Sequence, residues 1–373
     1  LGALGPLAVR LTATGAADSG RKSGDAWAVS TAGSVLGAAL TGFVLIALLP
    51  ISKIILGAAV ILLALGALGS WLSTRALPVG QLAACAACAV LSLLPASKPL
   101  SSVYARESAY GRIVVLDTGP KRFLLVNGTA QSVMEMEGGE SESQYIRGLE
   151  WTRALRPKAK RGLLIGLGAG LLPKALERRG LTIDAVEIDP EIAEAARKYF
   201  GYEPRGRVII GDGRASLEKE GGVWDLAFLD AFGAESPPAH LFTAEAFARV
   251  RERLTPDGVF AINIVSIVSS PDARLWSSSR GILTWASEPA DGLANVLIFA
   301  SAGPLEAGPP KSPEPVAREV ELMLSRELRP SASELSEVPV LTDDYAPLDT
   351  LMAVTAGRWR RLLQRAMPEV LLN

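Results

Sequence analysis

Histidine and cysteine are nearly missing from this sequence, which has one histidine and two cysteines among 373 residues. A zinc site normally needs four nitrogen or sulfur ligands, or three and a water molecule, so this composition nearly excludes it. An excess of either charge is also missing, since 38 basic residues balance 39 acidic ones. Such a balance gives no reason to expect a polyanionic partner. We therefore expect neither a metal site nor nucleic acid binding.

Charged side chains are absent from three long apolar segments, Trp27 to Leu49, Ile54 to Leu72 and Val79 to Pro95. As helices they would be roughly 26 to 35 Å long, about the thickness of a bilayer's hydrocarbon core. They predict transmembrane helices, with membrane lipid as a partner. An ion pathway usually carries a charged residue within the membrane, so we expect an anchor rather than a transporter. Because the chain begins in an apolar stretch without methionine, we also expect that it is a fragment or lacks membrane helices upstream.

After residue 97 the sequence alternates between charged and apolar segments. "GRIVVLD", Gly111 to Asp117, and "RFLLVNG", Arg122 to Gly128, are typical of a β-hairpin. A helix over Glu142 to Leu155 is predicted next, followed by strands that alternate with helices up to "GVFAINIV". This alternation is typical of a doubly wound fold with a parallel sheet, which binds ligands at the carboxyl ends of its strands.

The residues at four of these strand ends favour an adenosyl ligand. Gly166, Gly168 and Gly170 follow the first strand, where the lack of side chains lets a nucleoside approach the backbone. Glu187 ends the second strand and is placed to accept hydrogen bonds from both ribose hydroxyls. Asp212, followed by Gly213, ends the third and is placed for the adenine amino group, and Asp230 ends the fourth.

The glycine loop separates two classes of nucleotide ligand. A dinucleotide loop reads G-x-G-x-x-G, whereas this one reads G-x-G-x-G, with Leu171 where the third glycine would stand. With an acid at the second strand and Asp-Gly at the third, the pattern resembles the nucleoside site of S-adenosylmethionine-dependent methyltransferases and spermidine synthases. Pyrophosphate binding is disfavoured.

Longer segments resemble one family. "ESAYGRIVVLD", "YIRGLEWTRAL", "AVEIDPEIAEAARKYF", "VIIGDGRASL" and "PPAHLFTAEAF" are similar to the spermidine synthase, or polyamine aminopropyltransferase, family. "AVSTAGSVLGAALTGFVLI" and "LTDDYAPLD" resemble its membrane-fused bacterial branch, in which major-facilitator-like helices precede the enzyme domain. The resemblance implies an α/β Rossmann-like, class I methyltransferase-type sheet, preceded by a small β-hairpin domain and transmembrane helices. It also implies a homodimer.

The resemblance assigns roles to particular residues. It implies that Gln131 lines the donor pocket, that Glu187 and Asp212 hold ribose and adenine, that Asp230 is the catalytic base, and that Tyr145 is catalytic. The donor would be decarboxylated S-adenosylmethionine or S-adenosylmethionine, and the acceptor a small amine. Further candidates for substrate contact are Glu235, His240, Asp343, Asp344 and Tyr345; the alternative role of Asp343 and Asp344 is helix capping.

Departures from the family pattern leave the transferred group open. Ala169 stands where the family has an aspartate against the aminopropyl ammonium, and Gly233 replaces the second aspartate of Asp-Ser-x-Asp. A buried ammonium without a carboxylate is costly. Aminopropyl transfer, methyl transfer and non-catalytic binding of a polyamine or nucleoside are therefore the alternatives.

These observations predict four regions. Transmembrane helices occupy residues 1–96, a β-hairpin domain residues 97–140, a Rossmann domain residues 141–350, and a basic amphipathic helix residues 351–373. The resemblance implies a multi-pass protein of the inner membrane, and because the donor is made in the cytosol we expect the catalytic domain on the cytoplasmic side.

Overall fold

The computed structural model describes residues 9–10, 13, 15–49, 51–76, 78–93, 102–219, 221–233, 236–267, 282–286, 293–303, 305, 340–350 and 352–353. The chain divides into two compact units. The first comprises Leu1–Ala96 with Glu107–Gly111, and the second comprises Ser97–Arg106 with Arg112–Asn373. The predicted C-terminal amphipathic helix lies outside the described residues, except for two of its first three positions.

The first unit is helical. Helix α1 covers Ala16–Leu40 and continues through a π-helical turn, Thr41–Leu45, to Ile46–Leu48, while α2 covers Ile51–Thr74 and α3 covers Val79–Leu93. Two helical stretches, Asp18–Leu45 and Ile51–Thr74, are long and apolar enough to cross a membrane by length and composition. Helix α3 has 15 residues, about 22 Å, which is less than the roughly 30 Å of a hydrocarbon core.

The second unit starts with a four-stranded antiparallel sheet, where the sequence predicted a hairpin. Its strands are β1 (Ser102–Glu107), β2 (Arg112–Thr118), β3 (Lys121–Val126) and β4 (Thr129–Glu135), in that spatial order. The predicted pair, β2 and β3, is confirmed, with Ile113 opposite Val126. Alternate side chains of these strands, among them Ile113, Val115 and Leu124, pack with Phe200 and Ala169, which lie further along the same unit.

A seven-stranded sheet forms the centre of the second unit. Its strands are β5 (Arg161–Ile165), β6 (Thr182–Glu187), β7 (Val208–Ile210), β8 (Trp224–Leu229), β9 (Leu254–Ile267), β10 (Ile282–Ala286) and β11 (Leu293–Ser301). The helices are α4 (Gln144–Glu150), α5 (Thr152–Leu155), α6 (Leu171–Arg178), α7 (Pro190–Phe200), α8 (Gly213–Lys219) and α9 (Ala244–Glu252).

The strand order β10-β11-β9-β8-β5-β6-β7 confirms the doubly wound fold. The chain winds outward from β5 through β6 to β7, and then returns to the other side of β5 with β8 and β9. The gap between the ends of β5 and β8 is therefore the switch point at which such folds bind ligands. The sheet is mixed at one edge, because β11 runs antiparallel to β9 and β10 antiparallel to β11.

Two apolar layers cover the faces of this sheet. Leu149, Trp151, Leu176 and Phe299 belong to the cluster on one face, and Leu217, Phe242, Val250 and Leu348 to the other. Strands buried on both faces explain the continuous apolar runs in the sequence. The predicted helix over Glu142 to Leu155 is instead the pair α4 and α5, which meet at Trp151.

Candidate functional site

The glycine loop connects β5 to α6 at the switch point. Gly166, Gly168 and Gly170 have φ values of +94°, +54° and +72°, a region that side-chain-bearing residues rarely adopt. Gly166 also lies against the end of β8, because a Cβ built on it would be 2.3 Å from the carbonyl oxygen of Asp230. Gly170 is the N-cap of α6. The loop therefore exposes backbone where a nucleoside is expected and touches the strand that carries Asp230.

Glu187 lies under this loop, at the end of β6. Its carboxylate accepts hydrogen bonds from the backbone N–H of Leu167 through Oε2 and of Asp189 through Oε1, both at 3.0 Å. Burial raises the pKa of Glu187, although these backbone donors act in the opposite direction. Each carboxylate oxygen has two acceptor positions, so the group can hold the loop and still accept ribose hydroxyls.

Asp212 and His240 form a pair beside α8. Oδ1 of Asp212 accepts from the backbone N–H of Ala215 at 2.9 Å, and Oδ2 lies 2.8 Å from Nε2 of His240. Burial acts to raise the pKa of Asp212, but the Ala215 N–H and the His240 side chain lower it more, so Asp212 is held ionised. His240, predicted from the sequence as a substrate contact, thus lies beside the residue expected to bind adenine.

Gly213 follows Asp212 and is buried. A Cβ at this position would lie 2.5 Å from Cγ2 of Ile165. The glycine therefore brings the start of α8 close to the end of β5, and with it Asp212 close to the glycine loop. This packing is a physical reason for the Asp-Gly pair that the sequence showed.

Asp230 directly follows β8 and accepts hydrogen bonds from two other elements. The Nδ2 of Asn263 on β9 donates to Oδ1 of Asp230 at 2.8 Å, and the hydroxyl of Tyr145 on α4 also donates to this carboxylate. Burial raises the pKa of Asp230 to about 6, against the lowering effect of these two donors. Burial and the nearby Asp230 charge raise the pKa of Tyr145 well above its ordinary value, so Tyr145 remains a neutral donor.

Strand β4 contacts the glycine loop through Ser132. The backbone N–H of Ala169 donates to the Ser132 Oγ at 3.2 Å. Gln131, which the resemblance placed in the donor pocket, is the half-buried neighbour of Ser132 on the same strand. Ala169 is 1% exposed and packs with Tyr104, Leu124 and Phe200. The position at which the family has an aspartate is therefore an apolar contact in this chain.

The remaining substrate candidates are dispersed. Asp343 accepts two hydrogen bonds from Arg214, at 2.9 and 2.8 Å, and one from the Thr243 hydroxyl at 2.7 Å. Asp344 lies in the turn between Thr342 and Tyr345, which form an isolated β-bridge. Tyr345 is 59% exposed. Glu235 lies outside the described residues. Asp343 thus joins the segment around residue 343 to α8 and α9.

The sequence interpretation missed Asn263, Asn295 and Ser132. Asn263 is 1% exposed and bonds to Asp230, and Asn295 donates to Asn263. The sequence does carry a signal for Asn263, because it is an asparagine inside the apolar run "FAINIV" and a buried amide needs hydrogen-bond partners. Within the described ranges, no group of three or more His, Cys, Asp and Glu side chains is arranged to hold a metal ion.

Comparisons with known proteins support the fold and the class of enzyme. The chain is 32% identical over 177 residues to a polyamine aminopropyltransferase of Vibrio vulnificus, which covers 44% of this chain and 59% of that protein. It is 32% identical over 161 residues to an N-terminal histidine N-methyltransferase of Emericella nidulans, covering 41% and 27%. The chain thus spans less than two thirds of the length of either relative. No protein-family model matches it.

Among solved structures, spermidine synthase from Thermotoga maritima superimposes with a TM-score of 0.51 at 21% identity, covering 64% of this chain and 88% of that one. A likeness at this identity establishes the fold. The chain therefore has the fold of spermidine synthases and is similar in sequence to the polyamine aminopropyltransferases, which are transferases.

Proposed function

We propose that the protein is a transferase that binds an adenosyl sulfonium donor and moves its aminopropyl group to an amine. The observation that carries this proposal is Asp230, a carboxylate with a pKa of about 6 at the switch point, in contact with the glycine loop. A base with a pKa near the working pH removes protons efficiently. Glu187 and Asp212 flank the same loop and supply the acceptors that ribose and adenine require.

The reaction is a single displacement. Asp230 takes a proton from the acceptor amine, the amine nitrogen attacks the carbon next to the sulfonium, and the carbon–sulfur bond breaks to release an adenosyl thioether. The sulfonium is a good leaving group, so the protein mainly aligns nucleophile and carbon and provides one base. Tyr145 donates a hydrogen bond to Asp230 and so helps to orient the carboxylate.

The test of this proposal is Asp230→Asn. We expect the variant to lose turnover and to bind the donor as the unmodified protein does, because the amide keeps the shape of the carboxylate but cannot accept the proton. Turnover would be followed by thioether release, and donor binding by calorimetry. Normal turnover in this variant would refute the role of Asp230.

Methyl transfer is the second candidate, and Ala169 is the observation that favours it. The family aspartate that would face an aminopropyl ammonium is replaced by a side chain that packs against apolar residues of the antiparallel sheet. A donor with an intact carboxylate does not need an acid at that point. Calorimetry with S-adenosylmethionine and its decarboxylated form, side by side, separates the two reactions, because aminopropyl transfer requires tighter binding of the decarboxylated donor.

We also propose that the first unit anchors the protein in the inner membrane, with the transferase domain in the cytoplasm. Large apolar side chains of its helices are exposed, including Phe43 at 85%, Leu48 at 73% and Ile61 at 62%. Lipid tails would cover such side chains, and a helix satisfies its own backbone hydrogen bonds within the bilayer. The test is fractionation: the chain should stay with membranes in high salt and carbonate and be released only by detergent. Release by salt or carbonate would refute the anchor.

A further inference from the structure

A chain of two amides runs across the sheet to Asp230. The first is Asn263 on β9, whose Nδ2 donates to Oδ1 of Asp230 at 2.8 Å. The second is Asn295 on β11, whose Nδ2 donates to Oδ1 of Asn263 at 3.0 Å. Strand β11 is the antiparallel neighbour of β9, so this chain of hydrogen bonds crosses from β11 to the carboxylate at the end of β8.

The direction of these hydrogen bonds depends on Asn295. An asparagine amide can turn by 180° and exchange its nitrogen and oxygen with little change in shape. Turned in that way, Asn263 would place its carbonyl oxygen against the carboxylate of Asp230, and two acceptors would face each other. The N–H of Asn295 occupies the Asn263 oxygen and so favours the orientation in which Asn263 donates to Asp230.

Few groups act on Asp230 besides these amides. The loop after β5 presents the backbone of Gly166, helix α4 presents the Tyr145 hydroxyl, and β9 presents Asn263. Burial favours the protonated carboxyl group, while Asn263 and Tyr145 favour the ionised one. No charged side chain of the described elements contributes to this balance. Burial and these neutral donors together therefore set the ionisation of the carboxylate, and losing one donor changes it directly.

We infer that Asn295 is a positioning residue, which acts through Asn263 to hold Asp230 ionised and aimed for proton abstraction. The inference rests on the proposed function, in which Asp230 is the base. Asn295 lies two strands away from Asp230 in the sheet and is not proposed to touch substrate. The transferred group does not matter to this role, because both aminopropyl and methyl transfer to an amine need the same base.

The test compares Asn295→Asp and Asn295→Leu with Ser301→Ala, a change on the same strand outside this network. In Asn295→Asp the new carboxylate can only accept a hydrogen bond. The Asn263 amide then turns its NH₂ towards residue 295 and its oxygen towards Asp230. We expect the acidic limb of the turnover profile to move up by about one pH unit or more, because the lost charge-assisted hydrogen bond and the added negative charge both favour the protonated Asp230. Asn295→Leu should move it less, since Asn263 is then free to turn, and Ser301→Ala should leave it in place.

A second measurement does not depend on turnover. Infrared titration of the full chain follows the carboxyl band of Asp230, which is identified by its loss in Asp230→Asn. The same upward shift is expected in Asn295→Asp, while donor affinity measured by calorimetry stays constant. Asn295→Asp also adds a negative charge, which by itself raises the pKa of Asp230. The neutral variant therefore decides, and an unshifted Asp230 band in Asn295→Leu would overturn the inference. If Asp230→Asn retained turnover while the band still shifted, the proposed function would fail and the amide network would stand.

Discussion

Gly166 and Gly180 have almost the same φ but different surroundings, so their alanine variants form a matched pair. Their φ values are +94° and +95°. A Cβ at Gly180 meets no atom within 4 Å, whereas a Cβ at Gly166 would be 2.3 Å from the carbonyl oxygen of Asp230 and 2.9 Å from Cα of Ala231. Replacement by alanine costs conformational energy at both positions but creates a steric overlap at only one.

The magnitudes follow from these two contributions. A side chain in a sparsely populated region of positive φ costs about 1 to 3 kcal/mol, which is the loss of unfolding free energy expected for Gly180→Ala. Overpacking adds about 1 to 3 kcal/mol, so Gly166→Ala should lose about 2 to 6 kcal/mol. The overlapping atoms belong to the backbone, and no rotamer change relieves them. The ends of β5 and β8 must therefore move apart, which displaces Asp230 from the loop.

Denaturant titration of the full chain in detergent measures both losses. The fluorescence of buried tryptophans such as Trp151 and Trp224 reports on the second unit. Donor calorimetry and turnover would be measured on each folded variant. We expect Gly180→Ala to keep both donor binding and turnover, and Gly166→Ala to lose turnover. Equal stability losses in the two variants, with equal turnover, would refute the close contact between the glycine loop and the end of β8.

Three further predictions concern the site. Turnover should be half-maximal at about pH 6, level off above about pH 7 and fall about tenfold per pH unit below about pH 5, because Asp230, with a pKa of about 6, must be ionised to accept the proton; a flat profile down to pH 5 would contradict this. Glu187→Gln should weaken donor binding, measured by calorimetry, about 10- to 100-fold. Both carboxylate oxygens of Glu187 accept from backbone N–H groups, and the amide of glutamine must turn its NH₂ towards one of these donors. Unchanged affinity would argue against a role of Glu187 in donor binding. Ala169→Asp should lower the thermal midpoint by burying a carboxylate, and decarboxylated donor should restore it more than S-adenosylmethionine does if the ammonium lies there; equal recovery with the two donors would place the ammonium elsewhere.

Much of the fold follows from local sequence patterns. The strand that ends at Glu187, the helix from Pro190 to Phe200 and the β2–β3 hairpin form where periodicity, a proline at the first helical position and turn residues indicate them. The antiparallel edge strand β11 was missed, because a short apolar segment does not reveal which strand it will pair with or in which direction. The contact between Asp343 and Arg214 was missed for a related reason, since 129 positions separate them in the chain.

The sequence by itself determined which chemical groups follow each strand: three glycines, then Glu187, Asp212 and Asp230. Those positions depend on contacts between neighbours in the chain, which the local pattern encodes. Only the tertiary structure decided that β8 lies beside β5, so that the Gly166 backbone touches Asp230, and that β11 returns antiparallel to place Asn295 behind Asn263. Strand order and direction are set by how separate segments pack together, and no local pattern carries that information.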